Sequence, residues 1–309
     1  MKIIQAPNEL KPANRKVCLA IGFFDGVHLG HQQIIRQTVT DAHQNDAVAL
    51  ALTFDRHPNS VVAPDHVPAL IYSLPQKLRA IGSLGMDTLL LIHFDEKFSR
   101  LTGEEFIRGL ARDSGSIHSI SVGADFVFGH KRSGDVALLK KLGFELGFFV
   151  HGLAAVSLDG HVVSSTRIRE AVRATNLDAA SQMLGRPYAI SGRVVEGNHL
   201  GQQLGFPTAN LDATDLALPP NGVYAGLTNI KGKEYRVALN IGFRPTFTPA
   251  VPQVCVEAHL LDFNGELYGE ELEVEIGKKL RQETKFASQA ELRKQIARDI
   301  AAVRTQIQL

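Results

Sequence analysis

No stretch of this sequence approaches the ~20 consecutive apolar residues that a membrane-spanning helix needs, so insertion in a bilayer is not expected. The amino terminus, MKIIQAPNELKPANRK, lacks the apolar core and small-residue cleavage site of a secretory signal, which leaves the cytoplasm as the default compartment. There are only two cysteines, Cys18 and Cys255, far apart and each inside an apolar, strand-like stretch; both read as structural. Net charge is also small, +1 with acidic and basic residues interspersed, so no clustered basic surface announces a nucleic-acid partner, and any nucleotide bound is a small one. No two of the 27 glycines are separated by a single residue. The dinucleotide-binding fingerprint and the protein-kinase glycine loop are therefore absent, and no Walker lysine follows a glycine-rich loop. Internal repeats and low-complexity tracts are missing too.

What is present is patterned. A chain of 309 residues suits two domains, each large enough to bury its own core. Residues 16–184 alternate short apolar runs (KVCLAI, AVALALTF, TLLLIHF, SIHSISVG) with longer segments of helical spacing (HQQIIRQTVTDAHQ, SLPQKLRAIGSLG, TGEEFIRGLARD). That rhythm predicts a parallel sheet covered by helices. In the third of these helices, Thr102 and Glu105 have the spacing of a capping box. From about residue 187 the pattern becomes alternating strands separated by Gly, Pro and Asn turns: YAISGRVVEG, VYAGLTNI, EYRVALNIG, VCVEAHLLDF and ELEVEIGKKL. An antiparallel sheet or small barrel is expected there. A closing helix carries Leu292, Ile296, Ile300, Val303 and Ile307 on one face, a stripe read as core packing and not as a site. Pro187 in LGRPY closes the preceding helix, placing the expected domain boundary between 184 and 185.

The segment IGFFDGVHLGHQ follows a predicted strand and opens a predicted helix, so it belongs at the carboxyl edge of the sheet, where α/β proteins place ligands. Gly22, Gly26 and Gly30 let the backbone approach a ligand, and a helix beginning around Gly30 aims its first amides and positive dipole end forward, a natural seat for phosphate. His28 and His31 share one side of the turn and can donate to a phosphoryl group. A histidine pair at this spacing also suits zinc, but no third ligand stands at the usual distance along the chain. SSTRIR puts Ser164, Ser165 and Thr166 at a helix start with Arg167 behind them, which reads as a phosphate clamp or as a plain cap with a solvated arginine. In GQQLGFPTANL, Thr208 and Asn210 offer two neutral oxygens for Mg²⁺, or form a proline-bounded turn closed by a local Asn hydrogen bond. Glu257 shares a strand face with Cys255 and His259. It either accepts a proton from an attacking hydroxyl or faces solvent.

The His-x-Gly-His signature, H28-L-G-H31, resembles the nucleotidyltransferase superfamily, whose second phosphate element corresponds to SSTRIR. The whole ordered set (GFFDGVHLGH, VGADFVFGHKRSGD, SSTRIR, LGRPY, GFPTANL, NGVY, NIGFRPTF, VEAHLLDF, LYG and LRQETKF) closely resembles the bacterial bifunctional riboflavin kinase/FMN adenylyltransferase family over nearly the entire chain. The resemblance implies a Rossmann-like nucleotidyltransferase domain over 1–184, adenylating FMN with ATP to give FAD and pyrophosphate. It implies a six-stranded antiparallel flavokinase barrel with a C-terminal helix over 185–309, phosphorylating riboflavin to FMN. Its partners are then small molecules (ATP, riboflavin and FMN), with Mg²⁺ as cofactor and neither nucleic acid nor membrane; oligomeric state is left open. By the same likeness, His28 and His31 steady the α-phosphate, and Gly22, Phe24, Asp25, Gly26, Gly30, Ser164, Ser165, Thr166 and Arg167 hold the nucleotide. Asp125 and Phe128 line the flavin side. In the kinase half, Gly201, Gly205 and Pro207 shape the nucleotide turn, Thr208 and Asn210 bind Mg²⁺, Glu257 is the base and Arg281 lies near the flavin.

Three positions depart from the family pattern: Phe23 replaces a frequent asparagine, Asp55-Arg56-His57-Pro58 stands for Glu-Pro-His-Pro, and Gln202 replaces an arginine. Two rival readings are a nucleotidyltransferase for another phosphorylated cofactor, and a flavin-sensing protein without turnover. GFPTANL with Glu257 opposes the first, and the intact set His28, His31, Asn210 and Glu257 opposes the second.

Overall fold

The computed structural model describes residues 1–10, 15–197, 200–243 and 254–309; residues 244–247 of the NIGFRPTF motif lie outside them. By internal contacts the chain divides into two units. The first comprises Met1–Pro68 and Leu74–Ser165, the second Ala69–Ser73 and Thr166–Leu309. This division falls earlier than the 184/185 boundary expected from Pro187: two helices, Ser165–Arg173 and Leu177–Leu184, fall almost wholly in the second unit. Within that unit Arg169 Nε donates to the Ala69 carbonyl at 2.6 Å, a tie the sequence does not announce.

In the first unit, six strands form one parallel sheet: β1 (Lys2–Ile4), β2 (Val17–Ile21), β3 (Val48–Phe54), β4 (Thr88–Ile92), β5 (Ile117–Gly123) and β6 (Phe149–Leu153). Their spatial order is β1-β4-β3-β2-β5-β6. The four central strands are those expected from the apolar runs. The two edge strands are not, because three residues of KII and the broken run FVHGL carry no readable periodicity. Alternation along the central strands sorts side chains by size. Val17, Leu19, Ile21, Leu50 and Leu52 join the core on one face, while Cys18, Ala20, Ala49 and Ala51 lie in the core on the other. The small side chains let helix α1 (Leu29–Gln44) and helix α2 (Leu74–Gly82) pack close to the sheet; helices α3 (Gly103–Asp113) and α4 (Val136–Leu146) cover the opposite face. The capping box on α3 is present: Thr102 Oγ1 accepts from the Glu105 amide at 3.2 Å and Glu105 Oε2 accepts from the Thr102 amide at 2.8 Å.

The chain leaves β2 for β3 on one side, while β5 flanks β2 on the other. Loops after β2 and β5 therefore diverge, and a crevice opens beyond the carboxyl ends of these two strands.

The second unit is a closed antiparallel barrel of β7 (Ala189–Val195), β8 (Ala209–Leu211), β9 (Gly222–Ile230), β10 (Lys233–Phe243), β11 (Val254–Leu260) and β12 (Glu271–Arg281), in the order β7-β8-β11-β10-β9-β12. Strand β8 is the unexpected member. Ala209 and Asn210 of the TAN triplet, read as part of a turn, instead belong with Leu211 to a three-residue strand that bridges β7 and β11 and closes the barrel. Val256, Ala258 and Leu260 are buried while Cys255, Glu257 and His259 are half-buried, so the shared face foreseen for the last three is the barrel's outer face. The C-terminal helix, Gln289–Gln306, lies across β9, β10 and β12. The lower part of its apolar stripe, Ile300, Val303 and Ile307, packs with Ala225 and Leu261 as core. The upper part, Leu292 and Ile296, lines a cavity, so the reading of the whole stripe as core packing is corrected there.

Candidate functional site

The first cavity is built by the turn after β2. Phe24 (φ 54°), Gly26 (φ 75°) and Val27 (φ 41°) place three left-handed residues within four. For the two non-glycine residues this conformation costs about 1–3 kcal/mol each. Packing sustains it, since Phe24 is 1% and Val27 0% exposed, both within the core under α1. Gly22 is required by the same turn, because a Cβ there would sit 2.7 Å from the Phe24 ring. Gln32 Nε2 donates to the Val27 carbonyl at 3.0 Å and Thr53 Oγ1 donates to the Phe23 carbonyl at 2.9 Å, fixing both ends of the strained stretch.

Helix α1 then starts at Leu29 with His28 as its N-cap. The imidazole does what a serine or aspartate ordinarily does: Nδ1 accepts the backbone amide of His31 at 3.4 Å. The two rings stack with centroids 3.6 Å apart and planes 19° from parallel. Gly30 lets them lie over the helix mouth, since a Cβ on it would be 3.2 Å from the His28 ring. His31 Nδ1 is buried and has no hydrogen-bond partner among the described residues. Burial, reinforced by the neighbouring His28 and Lys77, pushes the His31 pKa well below the ordinary value, so its imidazole is neutral at pH 7.

The cavity over this mouth has a volume of about 290 Å³. Gly22, Phe23, Phe24, His28, Gly30 and His31 form one side. Gly123, Asp125 and Phe126 at the end of β5 and beyond, residues 153–156 at the end of β6 and beyond, and residues 162–164 form much of the remainder. Thus the structure gathers Gly22, Phe24, His28, Gly30, His31, Asp125 and Ser164 as the motifs suggested. Asp25 and Gly26 stand behind the lining, Asp25 only 3% exposed, with its carbonyl accepting from Ser165 Oγ at 3.1 Å. Ser165 opens the following helix; Thr166, exposed, and Arg167, half-buried, come next on it. Phe128 does not reach the lining. Its ring is wedged against Gly134 and stacks on Phe126 at 5.2 Å, and Phe126 is the ring that faces the cavity. ADFVFG offers two phenylalanines, and only the path of the loop chooses between them. The apolar 153–156 segment carried no signal at all.

The second cavity, about 300 Å³, lies on the outer face of the barrel. Gly201, Thr208, Glu257 and Arg281 line it, together with Asn240, Glu283, Phe286, Leu292, Ile296 and Asp299. Gly201 permits a tight return of the chain: a Cβ would lie 2.5 Å from the Phe206 carbonyl oxygen and 3.1 Å from Thr208 Oγ1. Gly205 (φ 87°) ends the short helix 200–203, and the Pro207 carbonyl accepts from His259 Nδ1 at 2.7 Å; neither residue is in the lining. Asn210 stands directly across from Glu257 in the β8–β11 register, 7% exposed, its Oδ1 accepting from the Cys255 thiol at 3.6 Å. From the other side Asn240 Nδ2 donates to Glu257 Oε2 at 3.4 Å. Glu257 is therefore held by strand neighbours and faces the cavity, which decides against a purely solvent-facing role. Arg281 is committed elsewhere in part: its guanidinium forks onto Asp299 of the C-terminal helix at 2.8–3.0 Å.

Sequence comparison matches a separate family model to each part of the chain. Residues 10–167 match the family model described as FAD synthetase, and residues 184–307 the model described as riboflavin kinase. Bifunctional riboflavin kinase/FMN adenylyltransferase from Escherichia coli strain K12 is 39% identical over 301 residues, covering 97% of this chain and 96% of its own. The protein of that name from Pseudomonas fluorescens is 36% identical over 304 residues, covering 98% and 97%. A crystal structure described as a macrolide-efflux protein from Streptococcus pneumoniae superposes with a TM-score of 0.81 at 28% identity, covering 98% of both chains. Efflux is said of that protein alone; among the described residues here, no helix is long and apolar enough to cross a membrane. With one family model on each half and full-length relatives sharing more than a third of their residues, the chain belongs to the bifunctional riboflavin kinase/FMN adenylyltransferase family.

Proposed function

We propose that the first unit transfers the adenylyl group of ATP to FMN, and that the barrel unit transfers the γ-phosphoryl group of ATP to riboflavin. The observation that carries this reading is that each half has its own cavity, lined by the residues of its own motif and none of the other's.

In the first cavity the mouth of α1 and the stacked pair His28–His31 receive the triphosphate, and Ser164 with Ser165 holds its outer phosphates. A phosphate oxygen of FMN attacks the α-phosphorus, the bond from that phosphorus to the bridging oxygen breaks, and pyrophosphate leaves. Neutral His31 contributes an N–H donor to the crowded phosphoryl group without a charge to discharge, so positioning and hydrogen bonding lower the barrier. Asp125 and Phe126 border the side left for the flavin, where an aromatic ring can stack on the isoalloxazine.

In the second cavity Glu257 takes the proton of the terminal ribityl hydroxyl as its oxygen attacks the γ-phosphorus and ADP leaves. Thr208 and Asn210 fit Mg²⁺ in kind: two neutral oxygens, one buried, and an amide carbonyl with a second lone pair beyond the one taken by Cys255. Among the described residues no cluster of three or more acidic, His or Cys side chains forms a complete metal cage, which suits an ion shared with phosphate and water. When bound, Mg²⁺ neutralises charge on the triphosphate. The fold and family fit a soluble enzyme working on small molecules in the cytoplasm. Incubation with riboflavin, Mg²⁺ and ATP, followed by chromatography, should yield FMN first and then FAD. Unchanged riboflavin would defeat the kinase assignment; FMN without FAD would defeat the other.

A further inference from the structure

Lys77 is absent from every motif, yet it is among the most buried charged groups of the first unit, 4% exposed on α2 beside Ile81. Its Nζ donates to the Phe54 carbonyl at 2.8 Å, where β3 ends, and to the Phe23 carbonyl at 3.3 Å, in the turn after β2. The ammonium also lies 4.3 Å from the centroid of the Phe23 ring. Phe23 lines the cavity, its ring is met edge-on by His57 at 4.8 Å, and the next residue is the strained Phe24. One side chain thus ties two strand ends and an aromatic lining residue together directly behind the helix mouth. The charged and titratable groups facing it are Asp25 of the same turn, Asp55 after β3 and His31 of α1.

Lys77 is missing from the cavity lining, so direct contact with phosphate is not its part. A buried cation held by carbonyls and packed against a lining side chain of the cavity does two other things. It pins the turn in its left-handed course, and it adds a fixed positive potential that falls off slowly in a medium of low dielectric.

We propose that Lys77 is a positioning residue of the adenylyl-transfer site, holding Phe23 and the strained turn so that the His28–His31 mouth is preorganised for the triphosphate. The inference rests on assigning adenylyl transfer to the first cavity. Burial brings the Lys77 pKa from 10.5 down to about 8, so its charge is lost just above neutral pH, and the function it supports should fade over the same range.

The test uses the full-length protein as wild type, Lys77→Arg and Lys77→Met, assayed for both half-reactions between about pH 6.5 and about pH 9.5. In Lys77→Met we expect KM for ATP in FAD formation to rise about tenfold at pH 7, the loss of one charged hydrogen-bonding group, while riboflavin phosphorylation in the same preparation stays within about twofold. In the wild type KM for ATP should climb above pH 8; Lys77→Met should be flat there, and Lys77→Arg should keep activity with the climb displaced upward. A Lys77→Met protein with wild-type KM and wild-type pH profile overturns the proposal. So does equal damage to both half-reactions, which marks a global role. Wild-type protein that forms FMN but no FAD overturns the assignment of the cavity itself, an outcome distinct from either.

Discussion

His28 caps the helix on which His31 rides: its Nδ1 accepts the His31 amide at 3.4 Å, and the two rings stack 3.6 Å apart. The three-residue spacing thereby does double duty. It satisfies an amide at the helix start and lays two imidazoles over the amides that remain. The pair is thereby fixed to the backbone of the helix mouth, with the Phe24 ring edge-on to His31 at 5.4 Å.

His31→Ala removes the ring but leaves the cap intact, because only the His31 amide is used by His28. FAD formation from FMN should fall by about 10²–10³-fold in kcat, and riboflavin phosphorylation should not change. Glu257→Gln keeps shape and loses the proton acceptor, so riboflavin phosphorylation should fall by about 10²–10⁴-fold while FAD formation persists. Steady-state assays of the two half-reactions decide it; equal losses in both would remove the division of labour.

Gly22→Ala places a methyl group 2.7 Å from the Phe24 ring, in a core with no slack. Overpacking of this kind costs about 1–3 kcal/mol. The Tm should drop, and KM for ATP in FAD formation should rise because Phe24 and His31 are in edge-to-face contact at 5.4 Å. Riboflavin phosphorylation measured below the new Tm should match wild type.

The lowered pKa of Lys77 has a thermodynamic sign. Its folded value, about 8, lies below the value of 10.5 for an exposed lysine, so between these two pH values the unfolded chain binds the extra proton. Raising the pH across that window favours the folded state, by at most about 1.4 kcal/mol per unit from this one group. Denaturant unfolding at pH 8 and pH 10 should show the increment in wild type and lack it in Lys77→Met, where the other titrating groups are the same.

Arg281 and Asp299 are 22% and 8% exposed, and Gln295 Nε2 adds a further bond to the Asp299 carboxylate at 2.9 Å. Asp299→Ala leaves the guanidinium without its partner under the C-terminal helix. A loss of about 3 kcal/mol is expected, read as a shift of the denaturation midpoint, with a raised KM for riboflavin since Leu292 and Ile296 of that helix line the cavity. Asp299→Asn should recover part of the stability through retained hydrogen bonds.

The local elements around the first site were legible because each carries a strong signal over a short range. Apolar runs such as VCLAI and VALALTF read as strands, the Thr102–Glu105 pair read as a helix start, and HLGH read as a strand-to-helix turn. Elements defined by distant partners were not. Strand β8 is only three residues and exists because β7 and β11 hydrogen-bond to it from either side. Phe126 rather than Phe128 faces the first cavity because Gly134 and Gly103 accept the Phe128 ring. Lys77 looks like any lysine on a helix; the carbonyls that bury it come from Phe23 and Phe54, tens of residues away. The upper part of the C-terminal stripe looks like core until the barrel beneath it leaves a gap.

By itself, the sequence determined two folding units, the order of their central strands along the chain, and the residue types offered to each cavity: imidazoles and glycines at a helix mouth, and neutral oxygens with one carboxylate in the second half. Periodicity and residue type are local properties, and they survive in one dimension. Tertiary structure alone decided which of the candidate side chains meet in a cavity, which stand behind it, and which lysine lies beneath the turn. Burial and hydrogen bonding between segments far apart in the chain depend on distances that no local pattern encodes.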